Sequence, residues 1–130
     1  MHVLVAEDDQ LVRSLLVRLL AMQGWEVRAV ADGLEAVAAW RECGGYDLGV
    51  LDVRMPRMNG YDAYLLMREV SPRARFLFVS GYAAEEIQER LLGADGLDYM
   101  AKPFDSDALL ERVWALLGER GHRPHYAAYE

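Results

Sequence analysis

Short apolar runs that end in polar or charged residues constrain the fold of this chain more than any other feature. Four of them stand out: Val3–Ala6, Leu48–Leu51, Phe76–Val79 and Tyr99–Ala101. Each has about the length of a buried strand, and the segments between them carry apolar residues at the three-to-four spacing that is typical of helices. This alternation predicts an α/β domain in which helices cover both faces of a parallel sheet.

The segments between the runs have the start and stop signals of helices. A first helix is predicted from about Gln10 to Gln23, because leucines and valines recur along one face and Gly24 follows. A half-buried strand is predicted next, over residues 25–30. Further helices are predicted between Asp32–Gly33 and Gly44–Gly45, from Tyr61 to Val70, in a short segment after Tyr82, and from Asp105–Ser106 onward.

Length and composition limit the classes of protein to which the chain can belong. Its 130 residues, 53% of them hydrophobic, suit one domain over residues 1–120 with a C-terminal tail or linker start over 121–130. The net charge of −7 argues against direct nucleic-acid binding. Membrane insertion is not expected, since no apolar stretch approaches the ~18 residues of a span. The one cysteine, Cys43, suits a reducing compartment, so a cytoplasmic location is expected.

Acids, a hydroxyl and an ammonium follow the four apolar runs. Glu7–Asp9, Asp52, Ser80 and Lys102 stand directly after the predicted strands, and Lys102 is the only lysine in the chain. The carboxyl ends of neighbouring parallel strands meet at one edge of an open sheet, where such folds place their binding sites. The sequence therefore predicts that these side chains face one another.

The carboxylates at that edge favour a divalent cation. Glu7, Asp8 and Asp52 would repel one another without a cation, and Mg²⁺ commonly binds through one or two carboxylates, waters and phosphate oxygens. The Asp52 carboxylate is ionised at neutral pH, so it can act as a nucleophile without a general base. A lysine and a rotating hydroxyl both suit contacts with phosphoryl oxygens. Asp9, one position beyond the acid pair, is interpreted as the cap of the first helix.

Five features in order give the chain a specific resemblance. They are the acid pair Glu7–Asp8, the lone Asp52 with Met55–Pro56 and Gly60 beyond it, Ser80, the aromatic Tyr99, and Lys102–Pro103–Phe104. Together they resemble the receiver domain, the phosphoacceptor module of two-component response regulators, over about residues 1–119. The resemblance implies a doubly wound (βα)5 fold, the flavodoxin-like or CheY-like three-layer α/β sandwich, with five parallel strands in the order 2-1-3-4-5.

The resemblance also assigns the phosphorylation site and the metal ligands. Asp52 would accept a phosphoryl group from the phosphohistidine of a histidine kinase or a histidine phosphotransfer protein. Mg²⁺ would be held directly by Asp8, Asp52 and the backbone carbonyl of Arg54. Glu7 would act on the metal mainly through a water molecule.

Three further residues are implied to bind and report the phosphoryl group. Lys102, whose peptide bond to Pro103 is cis in the family, would hold a phosphoryl oxygen. The Ser80 hydroxyl would be drawn towards the group, and an aromatic residue, here Tyr99, would follow it. The face formed by the fourth helix, the fifth strand and the last helix would then change, and an output partner of unknown identity would bind there.

Other positions are expected to tune or support this site. In the family, residues at the positions of Arg54 and Tyr82 overhang the phosphoryl group, so large side chains here should obstruct the hydrolytic water and slow dephosphorylation. Gly60 is interpreted as permitting a tight turn before the third helix. The three tryptophans are interpreted as packing residues: Trp25, Trp40 and Trp114.

Three alternative functions compete with that of a receiver. Phosphatases that form an aspartyl phosphate usually have a second Asp two residues beyond the first, where this chain has Arg54. A flavin-binding domain needs a loop rich in Gly, Ser or Thr after its first strand, whereas Glu7–Asp9 would repel phosphate. An interaction module that acts without phosphorylation stays open as the alternative function. The chain is not expected to be an enzyme beyond promoting its own phosphorylation and slow dephosphorylation.

The resemblance leaves the molecular context open. Ser80–Tyr82 together with Lys102–Phe104 resembles the receivers that are attached to hybrid histidine kinases. A free-standing phosphorelay protein is equally compatible with these motifs.

Overall fold

The computed structural model describes residues 1–81, 89 and 96–118. Within this part of the chain, a helix follows each strand as the sequence predicts, except after the fourth strand, where the predicted helix lies outside the described residues. Their bounds are β1 (His2–Ala6), α1 (Gln10–Ala21), β2 (Glu26–Val30), α2 (Gly33–Glu42), β3 (Leu48–Leu51), α3 (Gly60–Val70), β4 (Arg75–Ser80), β5 (Leu97–Ala101) and α4 (Ser106–Leu116). The helix predicted after Tyr82 and the tail predicted over residues 121–130 lie outside the described residues.

The described strands form one parallel sheet. Their spatial order is β2-β1-β3-β4-β5, which confirms the predicted order and the doubly wound α/β fold. Val5 of β1 lies opposite Ala29 of β2 on one side and Val50 of β3 on the other. The strand order changes direction between β1 and β3, and open α/β sheets bind their ligands beside such a point.

The sheet separates two apolar layers. Leu4 of β1 faces the layer formed with α2 and α3, whereas its neighbour Val5 faces the layer formed with α1 and α4. Successive side chains of a strand point to opposite faces, so a central strand covered on both faces must be apolar throughout. This requirement explains why residues Val3–Ala6 are all fully buried.

Aromatic side chains pack within and beside these layers. Trp40 is fully buried and stacks on Phe76, with ring centroids 5.2 Å apart. The rings of Trp25 and Trp114 pack against each other with their centroids 4.8 Å apart. The packing roles predicted for the three tryptophans are therefore confirmed.

Each described helix starts with a side-chain cap near the carboxyl edge of the sheet. Asp9 accepts hydrogen bonds from the backbone amides of Leu11 and Val12, at 2.9 and 3.1 Å, which confirms its predicted role. The caps of the other helices are Asp32 for α2, Asn59 for α3 and Asp105 for α4. A cap of this kind contributes about 1 kcal/mol and fixes where its helix begins.

The described helices are short and bury one side. They contain 12, 10, 11 and 11 residues, against the roughly 20 that a transmembrane helix needs. Among the described residues, no helix combines the length and the apolar character required to cross a membrane.

Candidate phosphoacceptor and metal site

The carboxyl edge of the sheet brings together the side chains that the sequence predicts there. Glu7 and Asp8 follow β1, Asp52 follows β3, Ser80 ends β4, and Lys102 follows β5. Two backbone hydrogen bonds extend the ladder into the site, from the Asp52 amide to the Ala6 carbonyl at 2.9 Å and from the Lys102 amide to the Ser80 carbonyl at 3.0 Å. The site is therefore built on the rigid ends of paired strands.

Three carboxylates form a compact acidic cluster. One oxygen from each of Glu7, Asp8 and Asp52 lies within 4.8 Å of the other two. Asp8 is exposed, whereas Glu7 is 1% exposed and Asp52 is 7% exposed. The cluster thus has a buried floor and one side open to solvent.

Lys102 reaches into this cluster. Its Nζ lies 2.5 Å from Glu7 Oε1 and 3.1 Å from Asp52 Oδ2. The contact with Asp52 has hydrogen-bond geometry, whereas Glu7 Oε1 is a buried oxygen without a well-directed donor among the described residues. The other Glu7 oxygen, Oε2, accepts from the Asp9 amide at 3.1 Å. Lys102 therefore pairs with Glu7 by charge and with Asp52 by both charge and hydrogen bonding.

Burial and charged neighbours shift the pKa values of Glu7 and Lys102. Burial raises the pKa of Glu7 to about 7, and the neighbouring Asp52 charge adds to the rise, while contacts with Lys102 and the Asp9 amide oppose it. Burial lowers the pKa of Lys102, but its bonds to Glu7 and Asp52 outweigh this effect and the net pKa is raised. The lysine is therefore charged at neutral pH, when Glu7 is close to half protonated.

The donor set fits a hard divalent cation. It consists of carboxylate oxygens, which Mg²⁺ prefers, and the exposed Asp8 leaves room for the waters that Mg²⁺ retains. The pKa of Glu7 is raised mainly by burial and further by the Asp52 charge, and a cation would offset both by stabilising the charged carboxylate, whose Oε1 lacks a directed hydrogen bond among the described residues. The backbone of Arg54 also lies beside the cluster, because its amide is 3.4 Å from Asp52 Oδ1.

Ser80 and Tyr99 are connected through one backbone oxygen. The Ser80 side chain is 1% exposed at the end of β4. The half-buried Tyr99 donates its hydroxyl to the Ser80 carbonyl at 3.3 Å, and the Lys102 amide donates to the same oxygen. Burial raises the pKa of Tyr99, so its hydroxyl is a protonated donor at neutral pH. The two predicted switch residues are thus in contact with each other.

The start of α3 packs directly against the end of β3. A Cβ on Gly60 would lie 2.0 Å from the Asp52 carbonyl oxygen, and the Gly60 amide donates to the Val53 carbonyl at 2.8 Å. Its φ is not in the left-handed region, so the turn predicted before α3 does not need a glycine for its backbone conformation. Close approach of two backbone segments is the physical reason.

Other features of the site agree with the sequence or fall outside the described residues. The Lys102–Pro103 peptide bond is cis, as the resemblance implies. Tyr82, predicted to overhang the phosphoryl group, lies outside the described part of the chain.

Two arginines near the site were missed at the sequence level. Arg13 donates to the Glu7 carbonyl at 2.9 Å, and Arg57 donates to Asp32 Oδ2 from both Nε and Nη2, at 2.9 and 2.6 Å. Neither arginine belongs to a spaced motif, so only the folded chain reveals their partners.

Comparison with known proteins identifies the family. The chain matches the response regulator receiver domain over residues 3–114. It belongs to this family of two-component signalling domains, and its strand order and acidic cluster are those expected of a receiver.

Three similar proteins show how widely this domain is used. The chain is 38% identical to the transcriptional regulatory protein TcrA of Mycobacterium tuberculosis over 95% of its own length, but it spans only 48% of TcrA. The receiver domain of the hybrid histidine kinase CckA superimposes with a TM-score of 0.77 at 35% identity, covering 90% of this chain and 99% of that domain. The receiver domain of the sensor histidine kinase PA1611 from Pseudomonas aeruginosa was solved with magnesium in its active-site cleft. It superimposes with a TM-score of 0.77 at 29% identity, covering 90% of this chain and 97% of that domain.

Proposed function

We propose that this chain is a phosphoacceptor that takes a phosphoryl group onto Asp52 in a magnesium-dependent reaction. The donor is the phosphohistidine of a histidine kinase or a histidine phosphotransfer protein. The observation that carries the proposal is the placement of Asp52, which shares an acidic cluster with Glu7 and Asp8 and accepts a hydrogen bond from Lys102.

The reaction is a direct displacement at phosphorus. An Asp52 carboxylate oxygen forms the new O–P bond, and the N–P bond of the phosphohistidine breaks. The leaving imidazole nitrogen keeps the electron pair of that bond and takes a proton from solvent. A carboxylate nucleophile needs no general base, so the barrier is mainly the repulsion between two anions.

The chain's own residues lower this repulsion. Asp8, Asp52 and the Arg54 carbonyl would hold Mg²⁺, which would supply positive charge that offsets the repulsion between the two anions. Lys102 would exchange part of its pairing with Asp52 for a phosphoryl oxygen, because its ammonium already lies 3.1 Å from Asp52 Oδ2. Glu7 would keep the ammonium directed into the site and bind the metal through water.

Ser80 and Tyr99 would convert this event into a change of surface. The Ser80 hydroxyl would donate a hydrogen bond to the phosphoryl group. Any accompanying movement of the Ser80 backbone carbonyl would displace the Tyr99 hydroxyl, because that hydroxyl donates to the carbonyl oxygen. The phosphoryl group would thereby shift the population of two arrangements of the face formed by β5, α4 and the helix predicted after Tyr82. An output partner would bind one of these arrangements.

The comparisons support parts of this proposal. The PA1611 receiver holds magnesium in its active-site cleft, which supports Mg²⁺ as the cation here. The similarity to receivers of sensor kinases supports a histidine-containing donor. The chain spans only about half the length of TcrA, so the activity of that whole protein is not transferred to this chain.

The decisive experiment is intact mass measurement after incubation with acetyl phosphate, with and without Mg²⁺. One added phosphoryl group that requires both Mg²⁺ and Asp52 is expected, and Asp52→Asn is the matched control because it keeps the size of the side chain. No adduct, together with no Mg²⁺ binding, would reject the proposal in favour of an interaction module that acts without phosphorylation.

A further inference from the structure

The loop that follows Asp52 is tied to the start of α2 by an ion pair. Arg57 donates to Asp32 Oδ2 from Nε at 2.9 Å and from Nη2 at 2.6 Å. The Asp32 side chain is only 10% exposed, and its second oxygen, Oδ1, accepts from the Glu35 amide at 2.8 Å and so caps α2. One carboxylate therefore holds both a helix start and a loop.

Arg57 adopts a backbone conformation that a non-glycine residue avoids. Its φ is +66°, and it is the central residue of a tight turn closed by the Met58 amide and the Pro56 carbonyl at 2.7 Å. A turn of this kind is strained, so it persists only where surrounding contacts hold it. The Arg57 guanidinium bonds to Asp32 and lies 4.0 Å from Glu35 Oε1, and the shorter contacts with Asp32 are the stronger hold on the turn.

The backbone at the start of α2 also packs directly against the same loop. A Cβ on Gly33 would lie 2.1 Å from the Met58 carbonyl oxygen, so the two backbones touch. At its two ends, the loop is held by the Asp52 amide, bonded to β1, and by the Gly60 amide, bonded to the Val53 carbonyl. The middle of the loop is held by the Arg57–Asp32 ion pair and by the packing of Gly33 against Met58.

We infer that Arg57 and Asp32 are positioning residues for the metal site. They hold the loop over residues 53–59 in the conformation that presents the Arg54 carbonyl to the acidic cluster. The inference rests on the proposed function, since that carbonyl is a ligand only if Mg²⁺ binds there. Neither residue touches the metal or the phosphoryl group; both act through the backbone between them and Arg54.

Magnesium affinity measured by NMR titration of the metal-free protein tests this inference. Arg57→Ala and Asp32→Asn should each weaken Mg²⁺ binding by about tenfold. This is the lower end of the loss in metal affinity that follows removal of residues that orient metal ligands. Asp32→Asn retains an oxygen that can cap α2, so it separates the ion pair from the cap. The double variant should lose no more than either single variant, because both remove the same contact. Arg57→Lys, which keeps the charge without the two-nitrogen contact, should restore part of the affinity.

A second ion pair, between β2 and the end of α2, provides the control. Arg28 lies 3.3 Å from Glu42, and both side chains are largely exposed. Arg28→Ala should leave Mg²⁺ affinity unchanged. The thermal midpoint of each metal-free variant shows whether a loss of affinity is only a loss of folded protein, since Asp32→Asn and Arg57→Lys should melt close to the wild type.

The outcomes separate the inference from the proposed function. Wild-type protein that binds Mg²⁺ and is phosphorylated, with unchanged affinity in Arg57→Ala and Asp32→Asn, would overturn the positioning role alone. Additive losses in the double variant would also overturn it. Wild-type protein that binds no Mg²⁺ would overturn both.

Discussion

Lys102 lies closer to Glu7 than to Asp52, the proposed phosphoacceptor: its Nζ is 2.5 Å from Glu7 Oε1 and 3.1 Å from Asp52 Oδ2. The single lysine of the chain is thus held by two buried carboxylates. Glu7 has one methylene more than an aspartate would, and this length brings its carboxylate to the ammonium. The site is arranged around the lysine as much as around Asp52.

The raised pKa of Glu7 predicts a pH dependence of stability in metal-free protein. Its pKa rises from 4.5 to about 7 on folding because burial disfavours the charged form. The folded state therefore binds more protons than the unfolded state between these values, and Glu7 destabilises the fold progressively as pH rises through that window. The full loss, reached above pH 7, amounts to about 3 kcal/mol.

Urea unfolding of wild type and Glu7→Gln at pH 5 and pH 8, with chelator present, measures this effect. Glu7→Gln removes the titrating group and should lose less stability than wild type between the two pH values. Equal losses in the two proteins would contradict the prediction. Saturating Mg²⁺ should reduce the difference, because the cation offsets the charge.

Gly60→Ala should destabilise the protein by about 1–3 kcal/mol, as overpacking does, because the new methyl group would collide with the Asp52 carbonyl. Gly81→Ala is the matched control, since its Cβ would meet only the Lys102 Cβ at 3.8 Å. The free energy of unfolding in urea distinguishes them. If both variants lost the same stability, close backbone approach would not be the reason for Gly60.

Tyr99→Phe should lower the free energy of unfolding by only about 0.5–1 kcal/mol, the net worth of an ordinary hydrogen bond. The cost stays low because the Ser80 carbonyl retains its bond from the Lys102 amide. Chemical shifts of β5 and α4 should respond less to beryllofluoride in this variant than in wild type. An unchanged response would show that the Tyr99 hydroxyl does not transmit the phosphoryl signal.

Arg54→Ala and Tyr82→Ala should each shorten the lifetime of phosphorylated Asp52, because smaller side chains would admit the hydrolytic water. The decay of the phosphorylated mass after removal of acetyl phosphate measures the lifetime. Decay rates equal to wild type in both variants would reject shielding by these residues.

The fold and the core of the site were predictable from the sequence for a simple physical reason. In a parallel sheet every strand ends at the same edge, so the positions of Asp52 and Lys102 at the ends of two apolar runs are enough to place them together, although they are 50 residues apart. The Asp9 cap was predictable because an Asp before an apolar period marks a helix start.

Contacts that depend on loop conformation were not predictable. Arg57 and Asp32 are 25 residues apart and share no periodic pattern, and Arg57 takes a φ that its residue type disfavours. Gly60 was recognised as special, but the sequence did not show that close backbone approach requires it, because a glycine needed for space and a glycine needed for a turn look alike in a sequence. The helix after Tyr82 and the output face stay predictions.

The capped helix starts described above have an electrostatic consequence for the site. All four described helices begin at the carboxyl edge of the sheet, so the partial positive charges at their first turns point towards the edge that gathers the carboxylates. The chain has a net charge of −7, and a count of side-chain charges alone would suggest that this edge strongly repels an anion. The backbone dipoles reduce that electrostatic repulsion. The same backbone that supports the sheet thus prepares the place where a phosphoryl group would arrive.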